Sequence, residues 1–347
     1  MTASSPRPVV RVSGPGGLLA TVPHLFGFTP RNSLVVLAVD PGTRQLQTGL
    51  RYDLPATPDT ALAREVVGHT AQILGSHGLT AVVVAGYGPG HLVTPFADAA
   101  RQLLPPAGIT VLDIIRAEDS HWWSYLCEDP SCCPPAGQPL RPADEHTAAL
   151  LTGDGTAPLA SREELAATLA PVTGGSAQAM TEATRQAETT AATIVRRDGR
   201  LALQGQGLAA VQAAIRTYRH GGAITSPYRH AWLALVLRSL RVRDDAWARM
   251  DPSHRQAHAR LWDDLTCRAQ PGYAAAPACL LALTAWQDGR GALANIALDR
   301  ALADTPGYSM AQLLRDALNA GTPPSVAIPP MTPDQVAASY ASPPTNS

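Results

Sequence analysis

Three short runs constrain this chain most: Ser33 to Val39 (SLVVLAV), Thr80 to Ala85 (TAVVVA) and Ile109 to Ile115 (ITVLDII). Each is apolar and rich in β-branched residues, the first two without a break, so neither side of the segment is reserved for water. Such runs mark strands that are covered on both faces. Gln47 to Leu54 follows the first run after Asp40-Pro41-Gly42, a turn signal that pairs the two as a hairpin. Between the runs lie amphipathic stretches. Asp59 to Gly75 carries Leu62, Val66, Ile73 and Leu74 on one side, and a second helix is expected with Thr94 as cap, Pro95 at its first position, and Phe96, Ala99, Ala100 and Leu103 facing in. Strand, helix, strand, helix, strand predicts right-handed crossovers and a mostly parallel sheet. The first half therefore reads as a three-layer α/β domain over residues 9–150.

At the start of that domain, Val9 to Val12 reads as a short strand leading into Gly14-Pro15-Gly16-Gly17. The glycines lack the G-x-G-x-x-G spacing and the G-K-[ST] ending of phosphate loops, and Pro15 removes a backbone donor. They read as a strand-to-helix turn, after which Leu18, Leu19, Val22 and Leu25 recur at helical spacing. In open α/β sheets ligands settle outside the carboxyl ends of strands. Two loops qualify, one with Gly86, Gly88 and His91, the other with Arg116, Glu118 and Asp119. The expectation is that Asp119 and Arg116 face the same cleft as His91, an acid and a base able to serve general acid/base or anion chemistry. No acidic residue is placed to hold a ribose, so a nicotinamide cofactor is not expected.

Charge excludes some partners. The chain has 27 Lys and Arg against 28 Asp and Glu, and no basic run forms a stripe, so no nucleic acid is expected. No apolar run approaches the ~18 residues that cross a bilayer. With no signal-peptide pattern near Met1, a cytoplasmic protein off the membrane is expected.

Three of the five cysteines, Cys127, Cys132 and Cys133, lie in a Pro-rich stretch near residues 122–134. Their C-x4-C-C pattern departs from the C-x2-C knuckle of structural zinc sites, and a fourth ligand would have to come from His121 or His146. The commonest fate of such thiols is burial as small hydrophobes, with a zinc-type site, a disulfide and a catalytic thiolate as alternatives. No other cofactor is expected.

The segments GLLATVPHLFGFTPRNSLVVLAV, LRYDLP, WWSYLCEDPSCCPPAG, SREELAATLAP, RVRDDAW and CLLALTAWQDGRGALANIALDRALADTPGYSMAQLLRDAL resemble, in order, the actinobacterial family called domain of unknown function 4192. The resemblance runs from about Val12 to Pro324. It implies an intracellular protein of shared architecture and no assigned activity. Trp123, Ser124, Cys132, Cys133 and Pro134 match features the family keeps, and no consistent histidine stands at His146, which argues against that residue as a ligand.

The second half, residues 151–320, reads as all-α. Ser161-Arg162-Glu163-Glu164 is a capping box with Leu165 and Leu169 on one face of the helix it starts. Helical patterns follow at Ala177 to Arg197, Gly207 to Arg219, Arg229 to Leu240 and Ser253 to Arg268, with Trp232, Trp247 and Trp262 as core residues. Ala274 to Ala303 is similar to a tetratricopeptide repeat, with Leu281, Gly289, Ala294, Leu298, Ala301 and Pro306 at the repeat's spacing and Gly291 as a departure. Residues 321–347, with Pro-Pro pairs at Pro323, Pro329 and Pro343, read as a flexible tail.

The function expected from this sequence is that of an interaction or scaffold protein. Its helical domain would offer a partner the face holding Ala276, Cys279, Leu283, Trp286 and Gln287, with Trp286 either the anchor of that face or a core residue packed against the helix Ser253 to Arg268 or the α/β domain. The alternative is an enzyme or small-ligand sensor working at the strand ends.

Overall fold

The structure is a computed structural model and describes residues 14–152 and 157–341. The chain divides into two compact units between Glu164 and Leu165. In the first, a six-stranded sheet has the order β2-β1-β3-β4-β5-β6, with β1 at Ser33–Val39, β2 at Leu46–Asp53, β3 at Ala81–Tyr87, β4 at Thr110–Glu118, β5 at His121–Ser124 and β6 at Gln138–Pro139. The strand at Val9 to Val12 falls outside the described residues.

The sheet is mostly antiparallel, which corrects the parallel expectation. Among the described strands of the sheet only β3 and β4 run parallel; β1 is antiparallel to both β2 and β3, and β5 is antiparallel to both β4 and β6. The expected helical crossovers exist, since α2 (Thr60–Ser76) joins β2 to β3 and α3 (Gly90–Leu103) joins β3 to β4. What differs is placement. β1 lies between β2 and β3, so the first crossover passes over a strand, and β4 feeds no helix but turns at Asp119 (φ 51°) into β5. An apolar run reports that a strand is central and covered on both faces; it carries no information on direction.

Alternation along β1 supplies both layers. Leu34, Val36 and Ala38 join Val82 and Val84 beneath the apolar sides of α2 and α3, with Val67, Leu74, Val93 and Phe96 buried there. Val35 and Leu37 face the other way with Val83 and Ala85, against Leu19 and Val22 of α1 (Gly14–Phe26). The Asp59 carboxylate caps α2 through Leu62 N at 2.9 Å. α3 starts at Gly90 and not at Thr94; the Thr94 hydroxyl instead donates to Gly90 O at 2.7 Å inside the helix, and Pro95 lies within it. After α4 (Glu145–Thr152), Leu159 bridges to Phe28.

Of the expected capping box the forward half forms, with Glu164 N donating to Ser161 Oγ at 3.2 Å; the Glu164 carboxylate accepts Ala160 N, one residue ahead of the cap, at 3.0 Å, opening α5 (Arg162–Ala167). The second unit continues with α6 (Gly174–Asp198), α7 (Arg200–Arg219), α8 (Pro227–Val236), α9 (Leu240–Ala248), α10 (Arg255–Arg268), α11 (Ala275–Gln287), α12 (Gly291–Asp304) and α13 (Ser309–Asn319). The single helix expected over Arg229 to Leu240 is two, because Ser239 takes an extended conformation and restarts the chain as α9. Trp262 is fully buried, whereas Trp232 and Trp247 are half-buried.

The segment expected to be a flexible tail is folded as far as Ala341. Pro324–Ala327 forms a 3-10 turn against α11, and α14 (Pro333–Ala341) packs on α9. Ala327 and Val336 are 1% and 2% exposed, an apolar anchor in each piece. Pro324 and Pro333 both stand in the first turn of their helices, where a missing N–H is harmless. The rest of the tail, with Pro343, lies outside the described residues. Among the described residues no helix is long and apolar enough to cross a membrane.

Candidate functional site

β5 delivers the chain into the cysteine loop, and Ser124 at its end is the clamp. Its Oγ donates to Asp113 Oδ1 on β4 at 2.7 Å and accepts the N–H groups of Leu126 and Cys127 at 3.1 and 3.2 Å. Asp129 makes the next turn. Its carboxylate accepts Ser131 N and Oγ at 2.8 and 2.7 Å, and its carbonyl accepts Cys132 N and Cys133 N at 3.1 and 2.7 Å. The exit is fixed by Trp123 Nε1 donating to Pro135 O at 3.0 Å and Gln138 Nε2 donating to Cys132 O at 2.8 Å. Gly137, at φ 84°, lies flat on the Trp123 ring, where a Cβ would come within 2.6 Å of it.

This frame brings the Sγ atoms of Cys127, Cys132 and Cys133 within 4.8 Å of one another, a group that could hold a metal ion. The expectation of burial is corrected: Cys132 is exposed, Cys127 and Cys133 are half-buried, and all are free thiols. The thiols are electrostatically unequal. The Asp129 backbone N–H, then the Cys133 and Cys132 thiols, lower the Cys127 pKa. Hydrogen bonding to Cys127, and its charge, raise that of Cys132. Burial, then the bond to Cys127, pushes Cys133 up to about 11. His121 is exposed, its ring 6.3 Å from that of Trp123, and stands outside the cluster. The side chain of His146 lies outside the described residues.

The strand-end candidates have partners of their own. A Cβ on Gly86 would overlap Val93, so packing of α3 accounts for that glycine. Gly88, at φ 144°, lies against Asn32. The Arg116 guanidinium stacks over the Trp123 ring at 3.9 Å, pairs with Glu118 at 3.2 Å and covers Gly90, whose Cβ it would exclude. His91 and Asp119 are exposed, Asp119 at the tip of the β4–β5 hairpin. The connection that carries Asp119 is a tight β4–β5 hairpin and not a crossover loop. A cavity of about 260 Å³ lies elsewhere, lined by Gly16, Gly17, Thr21, Arg141, Asp144 and Thr147. The stack Gly90, Arg116, Trp123, Gly137 was not foreseen; its signal was two glycines and an Arg flanking a Trp pair, too common a set to single out.

In the helical unit, α11 is buried at every position from Ala275 to Trp286. Leu283 is 0% and Trp286 4% exposed, and Ala276 and Cys279 are likewise buried, so these residues do not line an open groove as expected. The reason is that α10 and α12 pack on α11, with a smaller share from the 3-10 turn of the tail. At that turn Gln287 Nε2 donates to Ala327 O at 2.8 Å, and Trp247 Nε1 reaches the same carbonyl at 3.4 Å. The Tyr340 hydroxyl donates to Asp244 Oδ2 at 2.6 Å, below the Arg241 guanidinium.

The family model for a domain of unknown function, DUF4192, matches residues 15–325. No curated protein matches the chain, and no solved structure does.

Proposed function

We propose, for a chain that belongs to the DUF4192 family through residues 15–325, the work of a cytoplasmic interaction protein whose helical unit receives a short segment of a partner. One observation carries this reading. Residues 324–341 of the chain itself lie on the unit as a turn and a helix, held by Gln287 and Trp247 at one carbonyl and by the buried Val336. A surface that selects such a segment in cis has the chemistry to select one in trans: an amide donor for a bare carbonyl, and an apolar seat for one side of a short helix. The tetratricopeptide-like reading belongs here too. α11 and α12 are joined by the turn at residues 288–290, and α13 begins 34 residues after α11, the period of that repeat.

A labelled peptide of residues 322–341 tests the reading. It is expected to bind the chain ended at Gly321, with the full chain binding it far less because its own segment competes. A truncated chain that melts cooperatively yet ignores the peptide would sink the proposal.

A second reading is favoured by the convergent thiols: the cysteine cluster holds zinc. Three thiolates suit zinc's preference for sulfur, and the polar frame around them is already set.

A further inference from the structure

We infer that zinc at Cys127, Cys132 and Cys133 is held by three thiolates with its fourth coordination position open to an exchangeable outside ligand. The inference rests on the zinc reading above and adds the geometry of the ion's free side.

Size comes first. Thiolates placed about 2.3 Å from a tetrahedral ion stand roughly 3.8 Å apart. The three Sγ atoms already lie within 4.8 Å of one another, so closing around an ion requires each to move by less than about 1 Å. Side-chain rotation of exposed and half-buried residues supplies that without moving the turn. The backbone is fixed by the Ser124, Asp129 and Gln138 bonds, none of which uses a sulfur.

The fourth position follows from what surrounds the thiols. Among the described residues the cluster holds no fourth His, Cys, Asp or Glu. Asp129 is adjacent in sequence, but its carboxylate is turned back on Ser131. His121 sits beside Ser120 and Trp123 and is not a member of the group. Cys132 is exposed, so the side of the cluster it forms faces solvent. Structural zinc sites close their fourth position with a protein ligand, and sites with three protein ligands leave it to water or a substrate atom. Three thiolates on a divalent ion leave one negative charge, which disfavours anions at the open position. The outside ligand is therefore a neutral donor, water in its absence and a nitrogen base such as an imidazole when one is offered.

The test uses the full chain, reduced, with zinc and cobalt(II) as probes. One zinc per chain is expected by chelator competition, with release of protons and weaker binding at lower pH as protons compete for the sulfurs. Cys127→Ser, Cys132→Ser and Cys133→Ser are each expected to weaken binding by roughly 100-fold or more, beyond the ~10–100-fold of losing an outer hydrogen-bond partner. Their melting without metal is expected to match the unaltered chain. X-ray absorption is expected to show three sulfurs and one lighter atom, and added imidazole to change the cobalt spectrum. No zinc uptake, or equal thiol reactivity with and without zinc, overturns the zinc reading and the inference together. Zinc bound with four protein ligands overturns the inference alone, as does a His146→Ala variant that binds at least tenfold more weakly and gains an imidazole response that the unaltered chain lacks.

Discussion

The cysteine loop and the C-terminal segment are fastened in opposite ways. The loop is held by polar bonds, side-chain oxygens on backbone N–H groups and a tryptophan on a carbonyl, and its thiols stay at the surface. The segment is held by apolar residues sunk into a helical unit, Ala327 and Val336, with a few polar bonds at the margins. Both are Pro-rich. The difference teaches where each can yield: a polar frame keeps its shape while its sulfurs change partner, whereas an apolar anchor is either seated or released. The first arrangement suits an ion, the second a competing segment.

The strongest test of the apolar side is Trp286→Ala. A buried tryptophan leaves a cavity on truncation, so a loss of about 3 to 5 kcal/mol is expected. For a unit of this size that lowers the melting temperature on the order of 10 °C. A variant that melts as the unaltered chain does would mean that Trp286 is not the core residue its 4% exposure makes it.

Val336→Asp separates anchor from core. Placing a carboxylate at a position 2% exposed is expected to release α14 at a local cost of about 2 to 3 kcal/mol. Amide exchange over residues 333–341 should then rise by roughly 30- to 150-fold while α6 to α8 keep theirs. Faster exchange throughout the unit would show that the segment is part of the core and not a seated ligand.

On the polar side, Ser124→Ala removes one oxygen that serves Asp113, Leu126 and Cys127 at once. The expected loss is about 1 to 2 kcal/mol of stability, with zinc binding weakened ~10–100-fold. If zinc affinity is unchanged, the frame does not set the thiols.

How much of this was legible varies with the kind of contact. The strand runs, the Ser161 cap and the α11–α12 hairpin were readable because periodicity and capping are local. Strand direction was not, since Ser33 to Val39 reads the same whichever neighbours it takes. Exposure of the cysteines was not either, because it depends on Ser124 reaching back to Asp113 across a hairpin, and on Gln138 returning from the far end of the loop. The burial of α11 on all sides escaped because a helix rich in Ala and Leu looks amphipathic until its neighbours are placed. The tail was misread for a different reason: its prolines outweighed a signal that was present, Thr332-Pro333-Asp334-Gln335 ahead of Val336.

That signal gives the smallest effect. Thr332 Oγ1 accepts Gln335 N at 3.3 Å, and the Gln335 carboxamide oxygen accepts Thr332 N at 2.8 Å, a reciprocal cap on a helix of nine residues. A helix that short does not hold in water by itself, so α14 depends jointly on its cap and on Val336. Thr332→Ala is expected to cost about 1 kcal/mol. Because the cost falls on the segment alone, exchange over residues 333–341 should rise about fivefold with the unit's melting unchanged. In the peptide assay the same substitution should weaken binding of residues 322–341 by a similar factor, since the free peptide must form the helix as it docks. A capless peptide that binds as well as the unaltered one would mean that the turn at Pro324–Ala327, with its carbonyl on Gln287, carries the docking and that α14 merely follows it.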